Sequence, residues 1–423
     1  MSEFLWLTGI ENSSLPELGV DELAMTGHYT QITKDLSLAA ETGVKAIRYG
    51  LPWALLEPER YQYQWALADE AVGALDGLGI SAVWDLVHFG CPSWLADGFL
   101  NPQYPECVAQ FAREIARRYP SLKRFTPFNE PYICAYFRGG NGTWPPYELS
   151  FEGFVRQLVP LIEGVRTTVA ALHEVRPEIE IWLNDGADEF RCAAGSEALE
   201  ALAFELTNLR FLPLDILLGK TTTDSASWRF LTHHGVDAGW LQECVEKPCR
   251  IDVVGIDYYP GSEHEIYLPL GPKDPGDWGR RSDFAMLPQG EPVGILTILR
   301  TYCARYRRPL YLAETSSTSH QEAWLEYCVS EVSQALDEGL PVVGLTWWPL
   351  FDHVDWDSGL TRLQGHVSPS GLWHGKPTSA DRDPGSLVGS FRKVVKAGRP
   401  VSSGLVPFPV KILGLPIKEP ELP

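Results

Sequence analysis

Lys123-Arg124-Phe125-Thr126-Pro127-Phe128-Asn129-Glu130-Pro131 is the stretch that decides the fold. A short apolar run ends on an amide and a carboxylate. Segments with apolar residues at three- and four-residue spacing flank it, over Glu106–Tyr119 and Phe154–Val175. Helix, strand, helix in this order is the repeating unit of a parallel sheet. Outward from this unit, further strands are predicted at Phe4–Ile10, Val44–Leu51, Ile80–His88, Ile179–Asn184, Ile251–Tyr258, Pro309–Glu314 and Val342–Trp348. Helical spacing also marks Ile32–Thr42, Asp69–Leu78 and Gln321–Glu338.

Eight strands with helices between them close most naturally into a single (β/α)8 TIM barrel, an α/β fold. A doubly wound sheet would more often carry a glycine-rich phosphate turn after its first strand, and none follows Phe4–Ile10. Pro260–Pro292 after strand six and Phe351–Pro384 after strand eight exceed ordinary connections, and are expected as long βα loops on the C-terminal face. Residues 1–398 are read as the barrel. Residues 399–423, rich in proline, are read as an extended arm packed on it.

The chain has 35 Lys+Arg against 55 Asp+Glu, a formal charge of -20, and the acidic residues are spread rather than gathered in a tail. Such a surface repels phosphate backbones and anionic lipid, so no nucleic-acid or membrane partner is expected. A small neutral or cationic substrate fits better. The 15 tryptophans lean towards carbohydrate, because indoles stack on sugar faces. Met1-Ser2-Glu3-Phe4 lacks a basic leader and no apolar run is long enough to span a bilayer, so a soluble cytoplasmic protein is expected. The eight cysteines contain no C-x-x-C pair and read as reduced thiols. Nothing in the sequence sets an oligomeric state.

In an α/β barrel the carboxyl ends of the strands open into one bowl, where chemistry is sought first. The strand ends here carry Arg48 and Trp53, Asp85 and His88, Asn129 and Glu130, Asn184 and Asp185, Asp257 with Tyr258 and Tyr259, Glu314, and Trp347-Trp348 followed by Asp352, Asp355 and Trp356. Strands four and seven face each other across the mouth, so Glu130 and Glu314 can flank a bound sugar. Two carboxyl groups about a glycosidic bond are the machinery of glycoside hydrolysis, retaining when about 5–5.5 Å apart.

The segments Arg48–Trp53, His88-Phe89, Thr126–Pro131, Gly255–Tyr259, Leu312–Thr315 and Trp348–Trp356 resemble, in order, the signature stretches of glycoside hydrolase family 1, the β-glucosidase family. The resemblance runs from about residue 4 to residue 375. It implies a retaining exo-β-glycosidase with Glu130 as general acid/base, Glu314 as nucleophile and Asn129 on the sugar 2-hydroxyl. Arg48 and the Tyr259 hydroxyl would keep Glu314 ionised, while a less polar wall keeps Glu130 protonated. His88 and Trp348 would bind and floor the sugar, with Asp355 and Trp356 at its 4- and 6-hydroxyl edge. No cofactor or metal is implied, and the partner is a small glycoside or oligosaccharide.

Several sugar contacts depart from the family pattern. Its first-loop Gln is missing, and Glu11 or Asn12 is left to take that place. Asp257 stands for an Asn, Ala313 for a Thr, Asp355 for a longer Glu and His353 for an Asn. Phe351–Leu360 holds no Lys or Arg, which disfavours a 6-phosphorylated substrate. Three alternatives share the fold: a transglycosidase or natural-product-tailoring enzyme, an endo-acting glycanase, and a catalytically silent sugar-binding barrel. Asp352-His353-Asp355 and His233-His234 are expected not to bind metal, and Glu263-His264-Glu265 is expected as a solvated rim. Asp185, Asp188 and Glu189 read equally as substrate contacts or as solvated loop.

Overall fold

Eight parallel strands pair edge to edge in sequence order and close on themselves in the computed structural model of the chain. It describes residues 4–192, 197–266, 292–375, 381–401 and 406. The strands are β1 (Leu5–Gly9), β2 (Ala46–Gly50), β3 (Ser81–Asp85), β4 (Arg124–Thr126), β5 (Glu180–Gly186), β6 (Val253–Asp257), β7 (Leu310–Glu314) and β8 (Val342–Trp347). Closure comes from β1, which pairs Leu7 with Ala46 of β2 on one side and with Thr346 of β8 on the other. The (β/α)8 barrel read from the sequence is the fold observed.

β4 is shorter than its sequence suggested. It stops at Thr126 because Pro127 has no N–H to give the ladder. The short ladder still places its end: Leu86 N–H donates to Thr126 O at 3.0 Å and Asn129 N–H to Val87 O at 2.8 Å.

Alternation along the strands sorts two cores. Leu7, Ala46, Val83, Trp182, Val253, Tyr311 and Ala313 point inward and fill the barrel. Their neighbours Trp6, Ile47, Trp84, Ile181, Val254 and Leu312 point outward against the helices. Room for the inward Tyr311 and for Asn184 comes from Gly255, where a Cβ would lie 2.5 Å from Asn184 Cβ and 2.7 Å from the Tyr311 ring.

The outer layer includes helices Ile32–Thr42, Ala66–Leu78, Tyr104–Arg118, Phe151–Val175, Gly294–Tyr306, Gln321–Asp337 and Val388–Ala397. Between β5 and β6 the crossover carries four helices, Glu197–Leu209, Leu212–Leu217, Ala226–His233 and Ala238–Glu246. None of the described helices is long and apolar enough to cross a membrane.

The loop after β8 is a built structure. Two small antiparallel pairs, His353–Val354 with Val367–Ser368 and Trp373–Gly375 with Arg382–Pro384, hold it over the mouth. Of the long loop after β6, residues 267–291 lie outside the described residues, as do 402–405 and 407–423 of the proline-rich arm.

Candidate active site

Chain geometry at the end of β4 aims Glu130. Its φ of 47° is in the left-handed region, a conformation a side chain adopts only when its surroundings enforce it. Enforcement comes from both sides. Glu130 N–H donates to Asn184 O at 3.3 Å, and Pro131 opens the helix Pro131–Ala135. The buried Asp185 carboxylate then takes the first free N–H groups of that helix, Tyr132 at 2.9 Å and Ile133 at 3.4 Å. Asp185 thus secures the turn, and its oxygens are spent on backbone.

Glu314 closes β7 opposite, and Asp257 closes β6 beside it. Oxygens of Glu130, Asp257 and Glu314 all lie within 4.8 Å of one another. Beneath them runs Arg48, fully buried at the end of β2. Its Nη1 donates to Glu314 Oε1 at 2.5 Å, and its Nη2 to Asn129 Oδ1 at 2.7 Å and Asn184 Oδ1 at 3.3 Å. The Tyr259 hydroxyl donates to Glu314 Oε2 at 2.7 Å, so both Glu314 oxygens are held.

These contacts orient the amides. Asn129 Oδ1 accepts from Arg48 and from Asn184 Nδ2 at 2.7 Å, which makes Asn129 Nδ2 the donor to His88 Nε2 at 3.0 Å. His88 Nδ1–H then donates to Asp85 Oδ2 at 2.8 Å. His88 is drawn two ways: burial opposes its imidazolium, while Asp85, Glu11 and Glu314 favour it and carry its pKa upward.

The two glutamates are set apart electrically. Burial pushes Glu130 well above the usual carboxylate range, helped by the negative Asp257, Glu314 and Asp185. Burial also raises Glu314, but Arg48 and His88 pull against it and leave a smaller rise. Glu314 therefore gives up its proton first. The Tyr259 hydroxyl is pushed upward by burial and the facing Glu314, so it acts as a donor.

A cavity of about 280 Å³ opens above this floor, lined by Glu11, His88, Glu130, Asp188, Asp257, Tyr259, Glu314, Trp348, His353 and Trp356 among others. Of the two first-loop candidates, Glu11 faces the cavity. Its Oε2 accepts from Trp348 Nε1 at 2.9 Å and its Oε1 from Ser13 N–H at 2.9 Å. Burial opposes the Glu11 charge, but His88 and His353 outweigh it and hold the carboxyl below its usual value. Asn12 turns the other way, against Gly50. Trp348 lies parallel to His88 at 11° and over the Arg48 guanidinium at 4.7 Å. Trp356 leaves its indole N–H without a partner among the described residues.

Asp355 is not brought to the cavity wall. Its Oδ2 accepts from Gln364 and Gly365 N–H at 2.9 and 3.0 Å and its Oδ1 from His366 N–H at 2.7 Å, so it organises its own loop. His353 takes the edge instead, kept neutral by burial with a pKa pushed down to about 4. Glu263 is no solvated rim either. It is 1% exposed, accepts from Tyr258 OH at 2.6 Å and caps the helix at Gly294. Asp188 reaches the wall, while Glu189 pairs with Arg210. His234 pairs with Glu152 and Asp352 with His374.

Asp257, Asn184 and His353 are given no role from the sequence, although the first two stand among its strand-end residues. Each is a strand-end or rim position, and Asp257 and His353 carried the further signal of departing from the family pattern.

Closed parallel barrel, facing glutamates at the ends of β4 and β7, and an arginine beneath one of them together define a glycoside hydrolase. The profile of glycosyl hydrolase family 1 matches residues 12–183. β-Glucosidase A of Thermotoga maritima is 23% identical over 80% of this chain and 81% of its own. A 6-phospho-β-glucosidase of Dickeya chrysanthemi is 21% identical over 79% and 78%. Among solved structures, the T. maritima β-glucosidase in complex with glucoimidazole superposes with a TM-score of 0.75 at 17% identity, covering 94% of this chain and 98% of that one. Over residues 12–183 the chain is thus similar to glycosyl hydrolase family 1, and over most of its length to β-glucosidases and a 6-phospho-β-glucosidase.

Proposed function

We propose that the protein is a retaining, exo-acting β-glycosidase, with Glu314 as nucleophile and Glu130 as general acid/base. The observation that carries this is the mutual approach of the Glu130 and Glu314 oxygens within 4.8 Å. That gap suits direct carboxylate attack and leaves no space for the intervening water of inverting enzymes, which separate their carboxyls by about 6.5–9.5 Å.

In the first step Glu314 attacks the anomeric carbon as the glycosidic C–O bond breaks and the Glu130 proton passes to the leaving oxygen. In the second, Glu130 takes a proton from water, the water oxygen bonds to the anomeric carbon, and Glu314 leaves. Arg48 and Tyr259 serve the nucleophile by holding both its oxygens. Asn129, oriented by Arg48 and Asn184 beneath the cavity, would serve the 2-hydroxyl through its amide nitrogen, and Trp348 would floor the ring. Glu11, His88, His353 and Trp356 form the edge facing the remaining hydroxyls.

The cavity volume of about 280 Å³ supports binding of one sugar ring at a time, hence exo action. Its walls present the carboxyls of Glu11, Glu130, Asp188, Asp257 and Glu314 and neither Lys nor Arg among the described lining residues, which supports neutral over phosphorylated sugars. All eight cysteines are free, in keeping with a reducing, cytoplasmic setting.

Incubation with a 2-deoxy-2-fluoro β-glycoside followed by peptide mapping tests the assignment. One adduct per chain on Glu314, with turnover lost in Glu314→Ala, is expected. Hydrolysis by Glu314→Ala at the unaltered rate overturns it. The pH profile of kcat/KM follows from the two shifts. Activity should fall on the acid side as Glu314 takes up a proton, above the usual carboxylate range. On the alkaline side it should fall as Glu130 finally loses its own.

A further inference from the structure

Asp257 is a third carboxyl in a site whose chemistry needs two. It is 1% exposed, and its orientation is not free. Asn184 accepts from Arg48 on its oxygen and donates to Asn129 from its nitrogen, so the same nitrogen faces Asp257 and donates to Oδ2 at 2.5 Å. That leaves Asp257 Oδ1 buried, without a donor among the described residues, in a cluster with Glu130 and Glu314.

Charge must be accounted for in this cluster. The groups around Asp257 are Glu130, Glu314 and Asp185 as acids, Arg48 as the cation, and Tyr259, Tyr302 and Tyr311 as neutral hydroxyls. Arg48 Nη1 and the Tyr259 hydroxyl hold Glu314, Arg48 Nη2 holds Asn129 and Asn184, and Asp185 is satisfied by backbone N–H groups. Among the described residues no cation bonds to Glu130 or Asp257, and Arg48 acts on Asp257 only through space. Two buried carboxylates so close cannot both ionise without one, and sharing a proton relieves them. Burial and the negative Glu314 push Asp257 upward as well, in the same direction as Glu130.

We propose that Asp257 is a positioning residue that shares one proton with Glu130, so that the acid/base keeps a proton available across the neutral range while Glu314 carries the charge. The pair releases its protons in two separated steps that belong to both residues. Its second step sets the alkaline limit of activity. This rests on Glu130 being the acid/base.

Asp257→Asn is the direct test, because Asn keeps the shape. With its oxygen held by Asn184, it turns its NH2 towards Glu130 and favours the carboxylate there. The alkaline limb of kcat/KM for an aryl β-glycoside with a poor leaving group should move acidward by about one pH unit or more. With a dinitrophenyl leaving group, which departs without a proton, the alkaline limb should be weak or absent in the wild type and the variant alike. Asp257→Glu should restore part of the shift. A variant that loses activity at every pH without moving the limb shows a structural role only, and overturns the proposal.

Infrared difference titration reads the same proton without turnover. The wild type should keep a protonated-carboxyl band above neutral pH that both Asp257→Asn and Glu130→Gln remove. If no glycoside is turned over yet the band is present, the assigned reaction fails and the shared proton stands. If glycosides are turned over and the band is absent, the shared proton fails alone. Activity lost to a chelator and restored by a divalent cation also overturns it, since a metal would then relieve the three carboxyls.

Discussion

The floor and the rim of the bowl are held by different forces. Arg48, Asn184, Asp257 and Glu314 sit on strands, and Asn129 lies three residues past the end of β4. Their spacing is set by a ladder in which Gly9 pairs with Arg48 and Asn184 with Gly255. Glu11, Asp188, His353 and Trp356 sit on the connections after β1, β5 and β8, where local contacts rather than the barrel ladder place each side chain. On the proposed reading, the strand-borne floor would carry the chemistry and the loop-borne rim the sugar selectivity.

The largest expected effect comes from breaking the floor. Arg48→Met leaves Glu314 buried without its cation and strips Asn129 and Asn184 of the donor that orients them. Removing one partner of a buried ion pair costs about 3–5 kcal/mol, so a large fall in the urea midpoint is expected near neutral pH. The sign of its pH dependence follows from Glu314. Without Arg48 its carboxyl rises further, and the loss shrinks as pH falls and a proton neutralises it. A loss of stability that is the same at acid and neutral pH would show that the pair is not what holds the floor.

The same division explains what was legible in the sequence. The eight strands announced themselves by short apolar runs at even spacing, and the catalytic candidates by the rule that barrel chemistry lies at strand ends. That rule picks out Glu130 and Glu314 as facing carboxyls, while their separate roles are implied by the family resemblance. Whether Glu11 or Asn12 faces the sugar could not be read, because adjacent residues on a loop turn to opposite sides and only the contacts with Trp348 and Gly50 choose between them. Asp355 looked like a sugar ligand because it is acidic and flanked by tryptophan. Its role is set instead by three N–H groups nine to eleven residues further on, a closure no local pattern encodes. The four helices between β5 and β6 went unread, because three of them run 9 residues or fewer and two turns of apolar spacing do not stand out.

A smaller effect is expected from sharpening the rim at Glu11. Glu11→Gln keeps the shape, removes a charge favoured by His88, and alters one acceptor beside Trp348. A single hydrogen bond is worth about 1 kcal/mol, so KM should change by roughly fivefold, and unequally for β-glucosides and β-galactosides, with kcat little altered. Equal change for both sugars would place Glu11 outside direct contact.

The smallest effect is expected at Asp355, and it separates loop support from sugar contact. Asp355→Ala frees three backbone N–H groups at a turn near solvent, where water can replace much of what is lost. The residue also takes a positive φ of 58°, which Ala tolerates less well than Asp. The loop should loosen, and with it the seating of Trp356, the next residue, at the cavity edge. KM should rise about threefold to fivefold for every sugar tested, a cost of about 1 kcal/mol spread evenly because no hydroxyl loses its own partner. The ratio of β-glucoside to β-galactoside specificity is the measurement that decides. If it stays constant while KM rises, Asp355 acts through the loop. If the ratio shifts tenfold, the carboxylate leaves its backbone partners and reaches the sugar when substrate binds, and the rim is less settled than its hydrogen bonds imply.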